Sequence, residues 1–314
     1  MKPTSPTDTE PAGLARPEPA PASGGLAPIA RPSGALAMVA MDQRESLRAM
    51  FDAAGRGRPG DPVLIDFKAD VARVLGPIAS GFLIDRHYGY EGLRDLLPPT
   101  TGLILAADAL EQADGGPVEE TGLDEAVLAP GFDLGGIAAL KLLIIWRRDE
   151  RREARVALAE RFVAAARERG LLSVLEPVVR ATAAELDAGA WDADEAIREA
   201  ARELAPLRPS LYKAQVPLAG LGSPVEQEAA SAALGACIPG PWVVLSQGVD
   251  RLRFLPAVEA ACRGGASGFL AGRALWSDVV GADDVAALLR ERSAPRLERL
   301  IEVVDREARP WSAV

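Results

Sequence analysis

The chain has 314 residues, 48% hydrophobic and 25% charged, enough apolar material for one large core or two small ones, which excludes disorder throughout. Lys and Arg number 35 against 45 Asp and Glu, and the net charge of −10 excludes a general nucleic-acid surface, which needs a basic footprint. Two distant cysteines, Cys237 and Cys262, and the lone His87 exclude a disulfide scaffold, speak against a zinc site, and suit a reducing compartment, by default the cytoplasm.

Residues 1–34, rich in Pro, Ala, Gly and Ser without apolar periodicity, read as a disordered tail ahead of a folded domain over 35–314. The tail lacks the apolar core of a secretory signal. No later stretch reaches the ~18 uninterrupted apolar residues of a membrane span, so a soluble protein without a membrane partner is expected.

From Ala35 onward, short apolar runs alternate with longer amphipathic stretches, the signature of a parallel α/β fold. Eight runs fit buried strands: Ala35–Asp42, Gly81–Asp85, Thr101–Asp108, Leu140–Trp146, Leu171–Val179, Pro209–Pro217, Pro241–Val249 and Ala266–Leu275. Their number suggests a closed (β/α)8 TIM barrel, with an open doubly wound sheet as the alternative. After the first run, Leu47, Met50, Phe51 and Ala54 fall on one helical face before Gly55. The stretch 149–169 places Val156, Ala159, Phe162, Val163 and Ala166 on one face and halts at Gly170. Residues 194–204 and 283–289 also read as helix, whereas 114–136, Gly-rich and aperiodic, reads as a long loop or a weakly structured excursion.

In such a barrel the active site lies at the carboxyl ends of the strands, so polar residues that interrupt those ends belong together. They are Asp42, Gln43 and Arg44 after the first run, Asp85 after the second, Asp108 after the third, and Lys141 within the fourth, which leads into Arg147. Glu176 lies in the fifth, Lys213 and Gln215 in the sixth, Ser246 and Gly248 end the seventh, and Gly272 and Arg273 end the eighth. Lys213 is the most telling. Burial disfavours an ammonium and turns a lysine towards the free-amine nucleophile that forms Schiff bases. The bland alternative is a lysine snorkelling to water or paired with a carboxylate. Lys141 could be a neighbouring charge that depresses the Lys213 pKa further, and Glu176, among apolar residues, suits proton transfer or simply pairs with either lysine. Ser246, Gly248, Gly272 and Arg273 fit a phosphate site of backbone N–H groups and a bidentate guanidinium; otherwise the glycines only terminate strands and Arg273 makes an ion pair with a helix. Asp42 and Arg44 either pair to cap the first helix or orient substrate hydroxyls, and His87 reads as a loop residue.

The segments MVAMDQRESLRAMF, ALKLLIIWRRDE, LEPVVR, LYKAQVP and ASGFLAGRALW together resemble the class I (Schiff-base) aldolases of the tagatose 1,6-bisphosphate aldolase superfamily, from about Ala35 to the end. Residues 146–150, 176–180 and 242–246 are most similar to its sulfofructosephosphate aldolase branch; the tagatose branch typically has a tyrosine-rich segment after its fourth strand. The resemblance implies that Lys213 forms the imine, that Glu176 shuttles protons beside Lys141, and that the Ser-Gly and Gly-Arg segments hold phosphate. Candidate substrate contacts are then Asp42, Gln43, Arg44, Lys68, Asp85, Arg147, Ser246, Gly248, Gly272 and Arg273. Gln247 departs from the small residue expected in that phosphate loop.

The implied reaction is metal-independent and needs no cofactor: cleavage of 6-deoxy-6-sulfofructose 1-phosphate to dihydroxyacetone phosphate and 3-sulfolactaldehyde, a step of sulfosugar catabolism. Tagatose or fructose 1,6-bisphosphate is the alternative substrate. A non-catalytic sugar-phosphate-binding regulatory barrel is the reading from another class. Barrels of this family are commonly oligomeric, which implies a homo-oligomer here.

Overall fold

The structure, a computed structural model, describes residues 25–113 and 116–314. Eight parallel strands close into a barrel: β1 (Leu36–Met41), β2 (Gly81–Ile84), β3 (Gly102–Ala106), β6 (Ile137–Trp146), β7 (Leu172–Val179), β8 (Leu211–Gln215), β9 (Trp242–Leu245) and β10 (Gly268–Ala271). Helices lie between them, and a two-stranded antiparallel hairpin, β4 (Asp108–Gln112) with β5 (Val118–Leu123), stands outside the ring. All eight expected runs are strands of the one barrel, and an open doubly wound sheet is excluded by closure of β1 on β10. Near-continuous apolar sequence is what strands buried on both faces require, and β1 and β7 are buried at every position.

The alternating sides of the strands make two apolar layers. Leu36, Met38, Leu83, Ile104, Val174, Leu211, Val243 and Leu270 fill the barrel, while Val39, Phe82, Leu105, Leu142, Leu175 and Phe269 face the helices. The filling does not stop at the strands. Leu26 and Ile29, 2% and 0% exposed, close the amino-terminal end of the barrel, and Gly102 makes room for them, because a Cβ there would lie 2.1 Å from the Pro28 carbonyl oxygen.

The ordered chain therefore begins earlier than the expected boundary at residue 35: two apolar side chains that show no periodicity in sequence gain a dry site by plugging the open end. Arg31 forks onto Asp305, and Trp311 donates its backbone N–H to Gly34, so the first and last described segments meet beneath the barrel. The expectation for residues 1–24 falls outside the described residues.

The expected loop over 114–136 is corrected in part. Its second quarter forms β5, which pairs with β4 from Asp108↔Leu123 to Gln112↔Val118, and Asp124 caps the short helix Glu125–Leu128 by accepting from Ala126 N–H. Alternating exposure along β4 is a strand's period of two, masked in sequence by acidic and glycine residues. The expected helix ahead of Gly55 is Glu45–Phe51; those over 149–169 and 194–204 are Arg152–Glu168 and Ala193–Leu204. The stretch 283–289 instead carries only the short helix Val285–Leu288, leading into the longer Ala294–Glu307.

Candidate active site

Lys213 stands in the middle of β8, level with Val243 of β9, and is 3% exposed. Its Nζ lies 2.8 Å from Glu176 Oε1 on the neighbouring β7. The ladder between these strands is short. Val174↔Leu211 and Leu175↔Tyr212 pair, and the rungs stop where Glu176 is followed by Pro177, which has no N–H to give. Beyond the break, the Gln215 side chain accepts from Val179 N–H at 2.7 Å. The barrel wall is thus opened between β7 and β8 at the level of the lysine and carboxylate, and a side-chain amide satisfies the freed donor.

The other Glu176 oxygen lies 2.8 Å from Lys141 Nζ. Lys141, in β6 and 1% exposed, also meets Asp42 Oδ2 at 2.8 Å and Asp108 Oδ2 at 3.0 Å. Burial alone would strip Lys141 of its proton, but three surrounding carboxylates overrule it and hold its pKa well above the ordinary lysine value. Burial likewise opposes ionisation of Asp42, yet the Lys141 and Lys213 charges drive its pKa well below the usual carboxylate range. Asp108 is shared further: Arg44 Nη2 reaches its Oδ1 at 2.7 Å, and Arg44 Nη1 donates to its carbonyl oxygen at 2.9 Å. Of the two alternatives for Asp42 and Arg44, the mutual pair does not form; each takes a partner across the barrel mouth, because Lys141 and Asp108 are brought there by β6 and the hairpin.

A cavity of about 240 Å³ opens above these groups. Its walls bring together Asp42, Gln43, Arg44, Lys141, Glu176, Lys213, Ser246, Gly272 and Arg273 of the sequence-derived set. On the β9–β10 side, Gly272 must be a glycine: a Cβ would lie 2.8 Å from the Ala40 carbonyl oxygen and 3.0 Å from Gln43 Nε2. Arg273 follows it with no ion-pair partner among the described residues, and burial presses its pKa down. An unpaired guanidinium at a cavity mouth suits an anion.

Four candidates lie elsewhere. Lys68, on the helix Asp61–Leu75, is fully buried; it pairs with fully buried Asp85 and donates to the Met41 carbonyl oxygen at 3.0 Å. Arg147 is turned to the hairpin, 2.8 Å from a Glu119 oxygen. Gly248, at φ +83°, lines a wider neighbouring cleft of about 780 Å³ between the helices Ala193–Leu204 and Pro224–Gly235, whose walls hold no lysine or arginine. His87 lies in the turn after β2, as expected.

Two residues at the site escaped the candidate set. Asp108 was legible only as a strand end; its role as the link between Lys141 and Arg44 needs the third dimension. Arg180, which directly follows β7, lines the cavity with Gly116, Pro117, Val118 and Leu143, and its buried Nε has no partner among the described residues. The signal available was its position, a cation immediately beyond an apolar strand.

The model of the DeoC/LacD family aldolases matches residues 36–278. A tagatose 1,6-diphosphate aldolase from Listeria monocytogenes serotype 4a is 27% identical, covering 91% of this chain and 92% of the relative. Among solved structures, fructose-bisphosphate aldolase from Plasmodium falciparum superposes with a TM-score of 0.66 at 14% identity over 88% of this chain and 92% of that one. An archaeal fructose-1,6-bisphosphate aldolase, with its catalytic lysine covalently bound to the substrate's carbinolamine intermediate, superposes at 0.55 and 17% identity over 89% and 98%. Closed barrel, buried strand amine and family match agree, and the chain belongs to the DeoC/LacD family of aldolases.

Proposed function

We propose that this protein is a class I aldolase that cleaves a ketose 1-phosphate through a Schiff base on Lys213. The observation that carries the reading is a buried lysine whose Nζ meets one oxygen of a carboxylate while a second ammonium meets the other, beneath a cavity with an unpaired guanidinium at its mouth. Glu176 accepts the proton that frees the Lys213 amine, and Lys141, held charged by its three carboxylates, keeps a positive potential beside it. The amine adds to the substrate C2 carbonyl, and loss of water gives a cationic imine. Removal of the C4 hydroxyl proton breaks C3–C4, the bonding pair flows into the imine, and an aldehyde departs. The resulting enamine takes a proton at C3 and is hydrolysed to dihydroxyacetone phosphate and free Lys213. Arg273, Ser246 and Gly272 hold the phosphate, so binding energy remote from the breaking bond orients C2 over the amine. Asp42 and Gln43 face the hydroxyls between.

The substrate proposed is 6-deoxy-6-sulfofructose 1-phosphate, on the likeness of residues 146–150, 176–180 and 242–246 to that branch; the aldehyde is then 3-sulfolactaldehyde. The tagatose 1,6-diphosphate aldolase relatives favour a second reading with tagatose 1,6-bisphosphate. Cleavage rates on the two substrates choose between them. The imine is tested by borohydride with dihydroxyacetone phosphate: the adduct mass is expected on Lys213 and absent from Lys213→Ala. Unmodified wild-type protein overturns the reading and favours a regulatory, non-catalytic barrel.

A further inference from the structure

We infer that Arg180 receives the anionic group at the far end of the substrate, and that the β4–β5 hairpin is the wall against which that end is held. The inference rests on the proposed aldolase reading. It starts from a census of the cations around the cavity. Lys141 is consumed by three carboxylates and Lys213 by Glu176. Arg44, although it lines the cavity, spends two nitrogens on Asp108. Arg147 is bound by Glu119 and Glu120 and does not line it. Two guanidiniums in the wall remain without a carboxylate partner among the described residues: Arg273 and Arg180.

These two stand apart around the ring. Arg273 follows β10 and Arg180 follows β7, with β9 and β8 between them, and Lys213 rises from β8. A chain anchored by one anion at Arg273 and laid across Lys213 therefore directs its other end towards Arg180. Arg180 is also under-solvated for a free cation. Its Nε is buried without a hydrogen-bond partner among the described residues, and burial lowers its pKa, against the pull of the Glu119 carboxylate and with the push of the Arg147 charge. A buried donor with nothing to donate to is destabilising. An incoming oxyanion removes that cost, which is the condition for strong recognition.

The surroundings restrict the ligand. Pro117, Val118 and Leu143, which share the cavity wall with Arg180, are apolar, and Gln112, whose Nε2 donates to the Gly116 carbonyl oxygen at 3.2 Å, is the polar side chain that the hairpin's described residues bring to the cavity. The shared chemistry is a terminal tetrahedral oxyanion, sulfonate or phosphate. A sulfonate, with one charge, is matched by this guanidinium alone; a phosphate dianion needs a second donor, for which Gln112 is the candidate.

The test runs in the condensation direction, with dihydroxyacetone phosphate and one of three aldehydes: 3-sulfolactaldehyde, glyceraldehyde 3-phosphate or uncharged glyceraldehyde. Arg180→Ala and Arg180→Lys are compared with wild type, and borohydride trapping of dihydroxyacetone phosphate on Lys213 is measured in each. Arg180→Ala is expected to raise the KM for the anionic aldehydes roughly 10- to 100-fold, as for loss of a charge-assisted hydrogen bond. KM for glyceraldehyde and the trapping yield stay within about twofold, and Arg180→Lys recovers part of the loss. The anionic aldehyde with the larger Arg180 dependence identifies the terminal group. An equal effect on all three aldehydes, no effect on any, or a wild-type KM no lower for the anionic aldehydes than for glyceraldehyde overturns the assignment to Arg180 while leaving the imine intact. Failure of trapping in wild type instead removes the aldolase reading itself.

Discussion

Glu176 holds Lys213 with one carboxylate oxygen and Lys141 with the other, each at 2.8 Å, so a single side chain ties the proposed nucleophile to a lysine whose pKa its carboxylates hold up. Replacing the carboxylate by an amide keeps the shape and removes the proton acceptor. Glu176→Gln is expected to slow imine trapping and cleavage by about 10²- to 10⁴-fold, the usual contribution of a positioned acid–base group. The check is the rate of borohydride-dependent mass gain with dihydroxyacetone phosphate, with the thermal midpoint as control. An unchanged rate with an intact fold means that another group carries the proton.

The Lys141 cluster sets the pH behaviour. Asp42 has its pKa lowered in the fold, so its stabilising contribution is complete above the ordinary carboxylate value of 3.8 and is lost as pH falls through the lower folded value. Lys141 has its pKa raised, so its contribution is complete below the ordinary lysine value of 10.5 and is lost as pH climbs through the higher folded value. Across about pH 5 to 9 neither group titrates. Lys141→Met takes from Asp42, Asp108 and Glu176 the one cation they share, leaving Arg44 on Asp108 and Lys213 on Glu176 as the remaining counter-charges, and is expected to cost about 3–5 kcal/mol. Relative to wild type, its stability should then increase as pH is lowered from 7 to 5, where carboxylates regain protons. Urea midpoints over that range measure both slopes.

Lys68 and Asp85, both fully buried, form a strut between the helix Asp61–Leu75 and the end of β2. Lys68→Met strands the Asp85 carboxylate and should destabilise by about 3–5 kcal/mol, while Lys68→Met with Asp85→Leu should recover much of that loss. Because neither residue reaches the cavity, trapping per folded molecule should remain within a few-fold of wild type. A specific loss of trapping in the stable double variant would show that the strut also shapes the site.

Gly272 lies against the backbone of β1. Gly272→Ala brings a Cβ to 2.8 Å from the Ala40 carbonyl oxygen, an immovable neighbour, and is expected to cost about 1–3 kcal/mol in stability while displacing Arg273. The readouts are the urea midpoint and the concentration of dihydroxyacetone phosphate that half-saturates trapping, both of which should worsen. An unchanged half-saturation would separate Gly272 from anion binding.

Much was legible in the one-dimensional chain because burial on both faces makes a barrel strand an unbroken apolar run, and any charge inside such a run stands out. That is how Lys141, Glu176, Lys213 and the Gly272–Arg273 pair could be picked out, together with eight strands and their closed arrangement. What sequence could not convey was pairing across the barrel mouth. Asp108 serves Lys141 and Arg44 at once, Lys68 is sealed beneath β1 with Asp85, and Arg147 is drawn off by the hairpin acids, although in sequence all are charges near strand ends. Nor could it tell that Leu26 and Ile29 plug the barrel, or that the buried Arg180 Nε is left without a partner among the described residues. Local pattern reports whether a position is buried; which opposite charge lies within 3 Å of it depends on strand order and register, and those exist only once the ring has closed.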